Sequence, residues 1–144
     1  MFAHRNILIV MADGEHARFV QPGENHALHT VASFDAISAH QRTSDMGHDA
    51  PGASYHTGST AHHALNPHHD PHHMAMESFE RFVAGQVNER VSDNELLIIA
   101  LARSSAEIVN HLRPGVRARV IDIIKKDLMK VPDDKLMEHI KHII

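Results

Sequence analysis

The chain has 144 residues, 42% of them apolar, with 18 acidic and 14 basic side chains, 16 histidines and no cysteine. That length suits one compact domain and is short for two, and the missing thiols exclude disulfides, thiolate zinc centres and cysteine nucleophiles. Lys and Arg are unevenly placed: residues 1–112 carry six against thirteen Asp and Glu, and residues 113–144 carry eight against five, so any permanent basic surface belongs to the C-terminal part.

"NILIVMA", residues 6 to 12, is a nearly continuous apolar run closed by Asp13-Gly14, the pattern of a strand buried on both faces. It falls far short of the roughly 20 residues that cross a bilayer, and no small-residue cleavage site follows, which points to a soluble, cytoplasmic protein. "ARFVQ" comes next, Pro22-Gly23-Glu24-Asn25 supplies a turn, and Leu28 to Phe34 alternates weakly around β-branched Thr30 and Val31. The first 35 residues therefore read as a three-stranded antiparallel meander.

From Ile37 to His69 the character changes, with Gly47, Pro51, Gly52, Gly58 and Pro67 scattered through Ser, Thr, Ala and His and no apolar period to bury a face. A loop of about thirty residues inside a compact domain is uncommon and marks either function or disorder; ordered segments on both sides favour function. Asp70-Pro71 then opens a helix running to about Val91, with Phe79, Phe82, Val83 and Val87 on one stripe as its core face and Glu77 paired with Arg81 on another.

"ELLIIALA", residues 95 to 102, is a second buried strand, and because it follows a helix it is expected to lie parallel to a strand of the meander through a crossover. Ser104, three residues before Glu107, has the pattern of a capping box at the start of a further helix. No glycine elbow surrounds Ser104, so capping accounts for it better than nucleophilic catalysis does. "VIDIIKKDL", residues 120 to 128, suits helix or strand, and its β-branched density favours a final strand; Asp133 is expected to cap a closing helix, Lys135 to Ile143. The sum is an α/β fold: a mixed sheet, meander plus parallel strands, flanked by three or four helices.

Three stretches, "ADGEHAR", "GSTAHHALNPHHDPHHMAMESFERF" and "VRARVIDIIKKDLMKVPDDKLMEHI", taken in order, resemble the bacterial family of host attachment proteins. That family is in turn similar to the central domain of archaeal and eukaryotic class-I peptide chain release factors. The resemblance implies an RNase H-like α/β fold, with the long loop standing where release factors carry Gly-Gly-Gln. Here the glycine-bearing stretches "MGHDAPGAS" and "YHTGSTAHH" contain no glutamine. The expectation is a non-catalytic, release-factor-like binding module that presents a His-rich loop, about residues 37–73, to a ribosome, an RNA or a protein partner. Asp13, Arg18, Lys125, Lys126 and Asp127 are the candidates for contact with that partner, although Asp13 also reads as a turn residue. The apolar tail "IKHII" leaves room for a homodimer contact.

The alternative reading is metal-based. Residues 62–76, "HHALNPHHDPHHMAM", hold six histidines, and His62, His63, His68, His69, Asp70, His72 and His73 are candidate ligands for Zn or Ni. A metal-dependent hydrolase of the two-ion type would instead draw carboxylates from Asp13, Glu77 or Glu80, and Asp127, but Ala102-Arg103-Ser104 stands where a bridging acid is wanted. The histidines also make charge pH-sensitive: counted neutral they leave −4, and at an imidazole pKa near 6.5 they add roughly +4 at pH 7 and roughly +12 at pH 6.

Overall fold

The computed structural model describes residues 6–39 and 71–143, and at 71–73 the backbone alone. Five strands form one sheet in the order β3-β2-β1-β4-β5. β1 (Ile7–Ala12) is central; β2 (His16–Pro22) and β3 (Leu28–Asp35) complete the antiparallel meander on one side. On the other side β4 (Glu95–Ile99) and β5 (Val120–Ile124) run parallel to β1. Flanking the sheet are α1 (Pro71–Arg90), α2 (Ala102–Asn110), the one-turn α3 (Pro114–Arg117) and α4 (Asp133–Ile140). The expected mixed α/β sheet, including the parallel crossover from the meander to the second buried strand, is what forms.

All six residues of β1 are buried because helices cover both faces of the sheet. Alternation along the strand divides them: Leu8, Val10 and Ala12 join Val83 and Val87 of α1 and Ile108 of α2, whereas Ile7, Ile9 and Met11 join Leu136 and Ile140 of α4. Each fully buried aliphatic side chain contributes about 1.5 to 3 kcal/mol, so the sheet is held most strongly at its centre. The core stripe read from α1 is confirmed, with Phe79, Val83 and Val87 buried and Phe82 packed at its margin. α1 stops at Arg90, and Ser92, at φ 50°, turns the chain toward β4.

Two register shifts redirect side chains. Phe19 lies opposite Ala32 and Val20 opposite Thr30, leaving Val31 as an extra, half-exposed residue. The bulge exchanges the faces of β3, so Leu28 packs toward α4 while Ala32 and Phe34 pack toward α1. In β5 the partners of Leu96 and Leu97 are Val120 and Asp122, with Ile121 passed over.

Two helix starts differ from expectation. α2 begins at Ala102 with Leu101 in the capping position and no side-chain cap, so Ser104 lies inside the helix and does not cap it. Its hydroxyl is drawn instead to Glu80 of α1, a partner 24 residues away. Asp133 is the first residue of α4, behind Pro132, and caps nothing; its carboxylate accepts the Thr30 N–H at 2.8 Å from across the sheet. α4 ends at Ile140, and of the apolar tail Ile140 is buried and Ile143 packs against the same core, while Ile144 lies outside the described residues.

Candidate functional site

β1, β4 and β5 point the same way, and their carboxyl ends carry Asp13-Gly14, Ala100 to Arg103, and Lys125 to Asp127. In open sheets with parallel strands this edge is where ligand sites form, because strand ends and helix starts meet there without being sealed by packing. β3 delivers the chain to the same edge, since Asp35 at its end pairs with His16. α1 begins there too: a Cβ on Gly14 would come within 2.8 Å of the Met76 methyl group. Asp35 and Met76, described residues on either side of 40–70, therefore both lie at the carboxyl edge.

Asp13 makes the turn that the sequence suggested. One carboxylate oxygen accepts the backbone N–H of Glu15 at 3.0 Å and of His16 at 2.7 Å, while Gly14 takes a φ of 95°. The His16 ring reaches back to within 3.6 Å of that carboxylate. Asp35 accepts the Ser38 N–H at 2.7 Å, and this bond holds its carboxyl below the ordinary aspartate value, with His16 adding a smaller electrostatic pull. A cleft of about 380 Å³ opens here, bordered by His16, Arg18, Asp35 and Ser38 together with the rings of Phe34 and Phe82.

The remaining partner candidates fall into two groups. Arg18 is engaged within the fold: its guanidinium donates to the Met129 and Val131 carbonyls and its Nε lies 3.5 Å from Asp133, so it fastens the segment after β5 against the sheet. Lys125, Lys126 and Asp127 are exposed in a row past β5, Asp127 accepting the Met129 N–H at 3.1 Å. Among the described residues no three His, Asp or Glu side chains come together as a metal ion would require. The metal candidates His62, His63, His68, His69 and Asp70, and the side chains of His72 and His73, lie outside the described residues, as does most of the expected His-rich loop.

One cluster escaped the sequence reading. Glu80 is fully buried, and Arg103 holds its carboxylate at 3.0 and 2.7 Å while Ser104 donates to the same group. Both oxygens of Glu80 are thus engaged, and Arg103 occupies the strand end where a metal-bridging acid would stand. A local signal existed, because Glu80 sits between Phe79 and Val83 on the apolar stripe of α1, where an acid must find a partner.

Residues 8–140 match the family described as "Protein required for attachment to host cells". The chain belongs to this host-attachment family. The matched span runs from the second residue of β1 to the last residue of α4, so the family's fold takes in both cores and the whole carboxyl edge of this host-attachment protein. The family's description is of attachment, a binding role. No curated protein matches the chain. Among the described residues no helix is long and apolar enough to cross a membrane.

Proposed function

We propose that this host-attachment protein is a non-catalytic, release-factor-like binding module that works in the cytoplasm and offers its histidine-rich segment, residues 37–73, to a ribosome or other RNA-bearing partner. The observation that supports the reading is the position of the residues that flank that segment: Asp35, paired with His16, and Met76, beside Gly14, both lie at the carboxyl edge of the parallel strands. Asp13, Lys125, Lys126 and Asp127 border the same edge and are assigned to the partner's surface, with Arg18 holding the base beneath them. A long insert between the third strand and the long helix suits the resemblance to release factors. The absence of glutamine from its glycine-bearing stretches supports contact over peptidyl-tRNA hydrolysis. Attachment to a host is then an indirect consequence of what the module binds.

Co-sedimentation with bacterial ribosomes tests the reading. The full chain is expected in the ribosomal pellet at low salt and in the supernatant as salt rises, and a variant with alanine at His62, His63, His68, His69, His72 and His73 is expected to bind at least about tenfold more weakly. Wild-type protein that stays in solution at low salt overturns the reading. Zinc or nickel retained in stoichiometric amount through a purification without a metal column, and lost on replacing His69 and His73, would put the metal-based alternative in its place.

A further inference from the structure

β5 is the last strand of the sheet, and α2 runs back beside it. Between the two lies a cleft of about 360 Å³. Ala102, Ser105 and Ala106 of α2 and Ile123 of β5 border it, and Arg117 and Lys125 stand at opposite ends of the strand. Ala102 and Ala106 are one helical turn apart and too small to close onto the strand, so a groove remains where larger side chains would have made a packed seam.

The two charged residues that line this groove, Arg117 and Lys125, are both cationic. Arg117 is held in place by its Nε bond to the Val109 carbonyl at 3.3 Å and by Nη2 bonds to the Asn110 and Leu112 carbonyls at 3.3 and 3.4 Å, which leaves Nη1 outside these bonds. Lys125 is exposed and has no ion-pair partner among the described residues. Among the described residues no acid lines the groove. Glu107 faces His111 at 3.2 Å, Asp122 accepts the N–H of Ile123 while pairing in register with Leu97, and Asp127, two residues past Lys125, accepts the Met129 N–H. Arg113, Arg119 and Lys126 are exposed and flank β5 in sequence, Arg119 donating to the Asn94 carbonyl at 3.5 Å.

We infer that the groove between α2 and β5 binds the phosphodiester backbone of single-stranded RNA, with Lys125 and Arg117 contacting separate phosphates. The inference takes its partner class from the function proposed above and rests on it to that extent. The five residues of β5 span roughly 16 Å, so the cations at its two ends suit a chain of phosphates better than one phosphate ion. A lipid surface would call for apolar anchors beside the cations. The exposed large apolar residues among those described are Val31, Ile37, Met74 and Leu101, and none of them lines the groove. No aromatic side chain lines it either, so bases are not stacked and recognition is independent of sequence and strongly salt-dependent.

Fluorescence anisotropy of a labelled oligouridylate about twelve nucleotides long, titrated with the full chain, tests this. Lys125→Glu and Arg117→Glu are expected to weaken binding several-fold each, to do so equally for oligouridylate and oligoadenylate, and to flatten the slope of log affinity against log salt by about 0.7 for each phosphate no longer neutralised. Lys135→Glu, on α4 at the opposite face, is expected to change nothing. The groove assignment is overturned if wild type fails to bind oligouridylate at about 50 mM salt, if Lys125→Glu binds as wild type does, or if phosphatidylglycerol vesicles are bound and oligouridylate is not. Ribosome co-sedimentation separates the two proposals. Pelleting that persists while oligouridylate binding is absent sinks the groove and leaves the histidine-rich module, whereas Lys125-dependent oligouridylate binding without pelleting supports the groove and sinks the module.

Discussion

Arg103 grips Glu80 at two points, Nη1 to Oε1 at 3.0 Å and Nη2 to Oε2 at 2.7 Å, across a carboxylate with no exposure to solvent. The pair ties the middle of α1 to the first turn of α2, just where the chain leaves β4. A buried carboxylate is costly unless its oxygens are satisfied, so the arrangement is sensitive to losing one partner and tolerant of losing both. Arg103→Ala is expected to lower the unfolding free energy by about 2 to 4 kcal/mol in urea titrations. Adding Glu80→Leu to that variant should restore most of the loss. A single Arg103→Ala variant as stable as wild type would show that the pair carries no weight.

Gly14 turns the chain from β1 into β2 at a φ of 95° with Met76 directly above it. Gly14→Ala places a side chain in the left-handed region and against the Met76 methyl group. The methionine end is flexible and can move aside, so the backbone accounts for most of the expected loss of about 1 to 2 kcal/mol. Thermal unfolding of Gly14→Ala, and of the same variant carrying Met76→Ala, checks this: the second change should recover little.

Arg18 spans from the sheet to the segment that precedes α4, bonding two carbonyls there and facing Asp133. Arg18→Met keeps an apolar stem in place but removes the donors, for an expected cost of about 2 to 3 kcal/mol. The amides of α4 should exchange with solvent faster than those of β1 and β4 in this variant. Exchange unchanged in α4 would mean that Leu136 and Ile140 hold the helix without help.

Asp35 receives the Ser38 N–H, and its carboxyl therefore titrates below 3.8. Because the folded value is depressed, the stabilisation it provides is complete above the unfolded value and disappears as pH falls through the folded one. Wild type and Asp35→Ala should differ in stability at neutral pH and converge only as pH falls through the lowered folded value. An NMR titration in which the Asp35 carboxyl has its midpoint at or above 3.8 would contradict this assignment.

Much of the architecture was legible because it is written in short-range periodicity. The unbroken apolar run at residues 7–12 announces a strand covered on both faces, the spacing of Phe79, Val83 and Val87 announces a half-buried helix, and a helix between two such strands implies a parallel crossover. Asp13 was legible as a turn residue for the same reason, since its partners are two and three residues away. Ser104 and Asp133 were misread because their local surroundings match helix-start signals, whereas their partners, Glu80 and Thr30, arrive from distant parts of the chain. The groove beside β5 left no trace in any one segment, since Arg117 and Lys125 face a common space only once α2 lies against the edge of the sheet.

By itself the sequence determined the elements, their hydrophobic faces, the uneven distribution of Lys and Arg, and the concentration of histidines ahead of α1, all of them properties of neighbours along the chain. Only the tertiary structure decided which polar groups were taken up inside the fold and which stayed available. Arg18, Glu80, Ser104 and Asp133 are occupied by partners that the sheet brings together, while Lys125 and Lys126 are left at its edge. The physical reason is that a charge or hydroxyl takes its role from the groups within about 3 Å of it, and packing sets that neighbourhood without regard to distance in sequence.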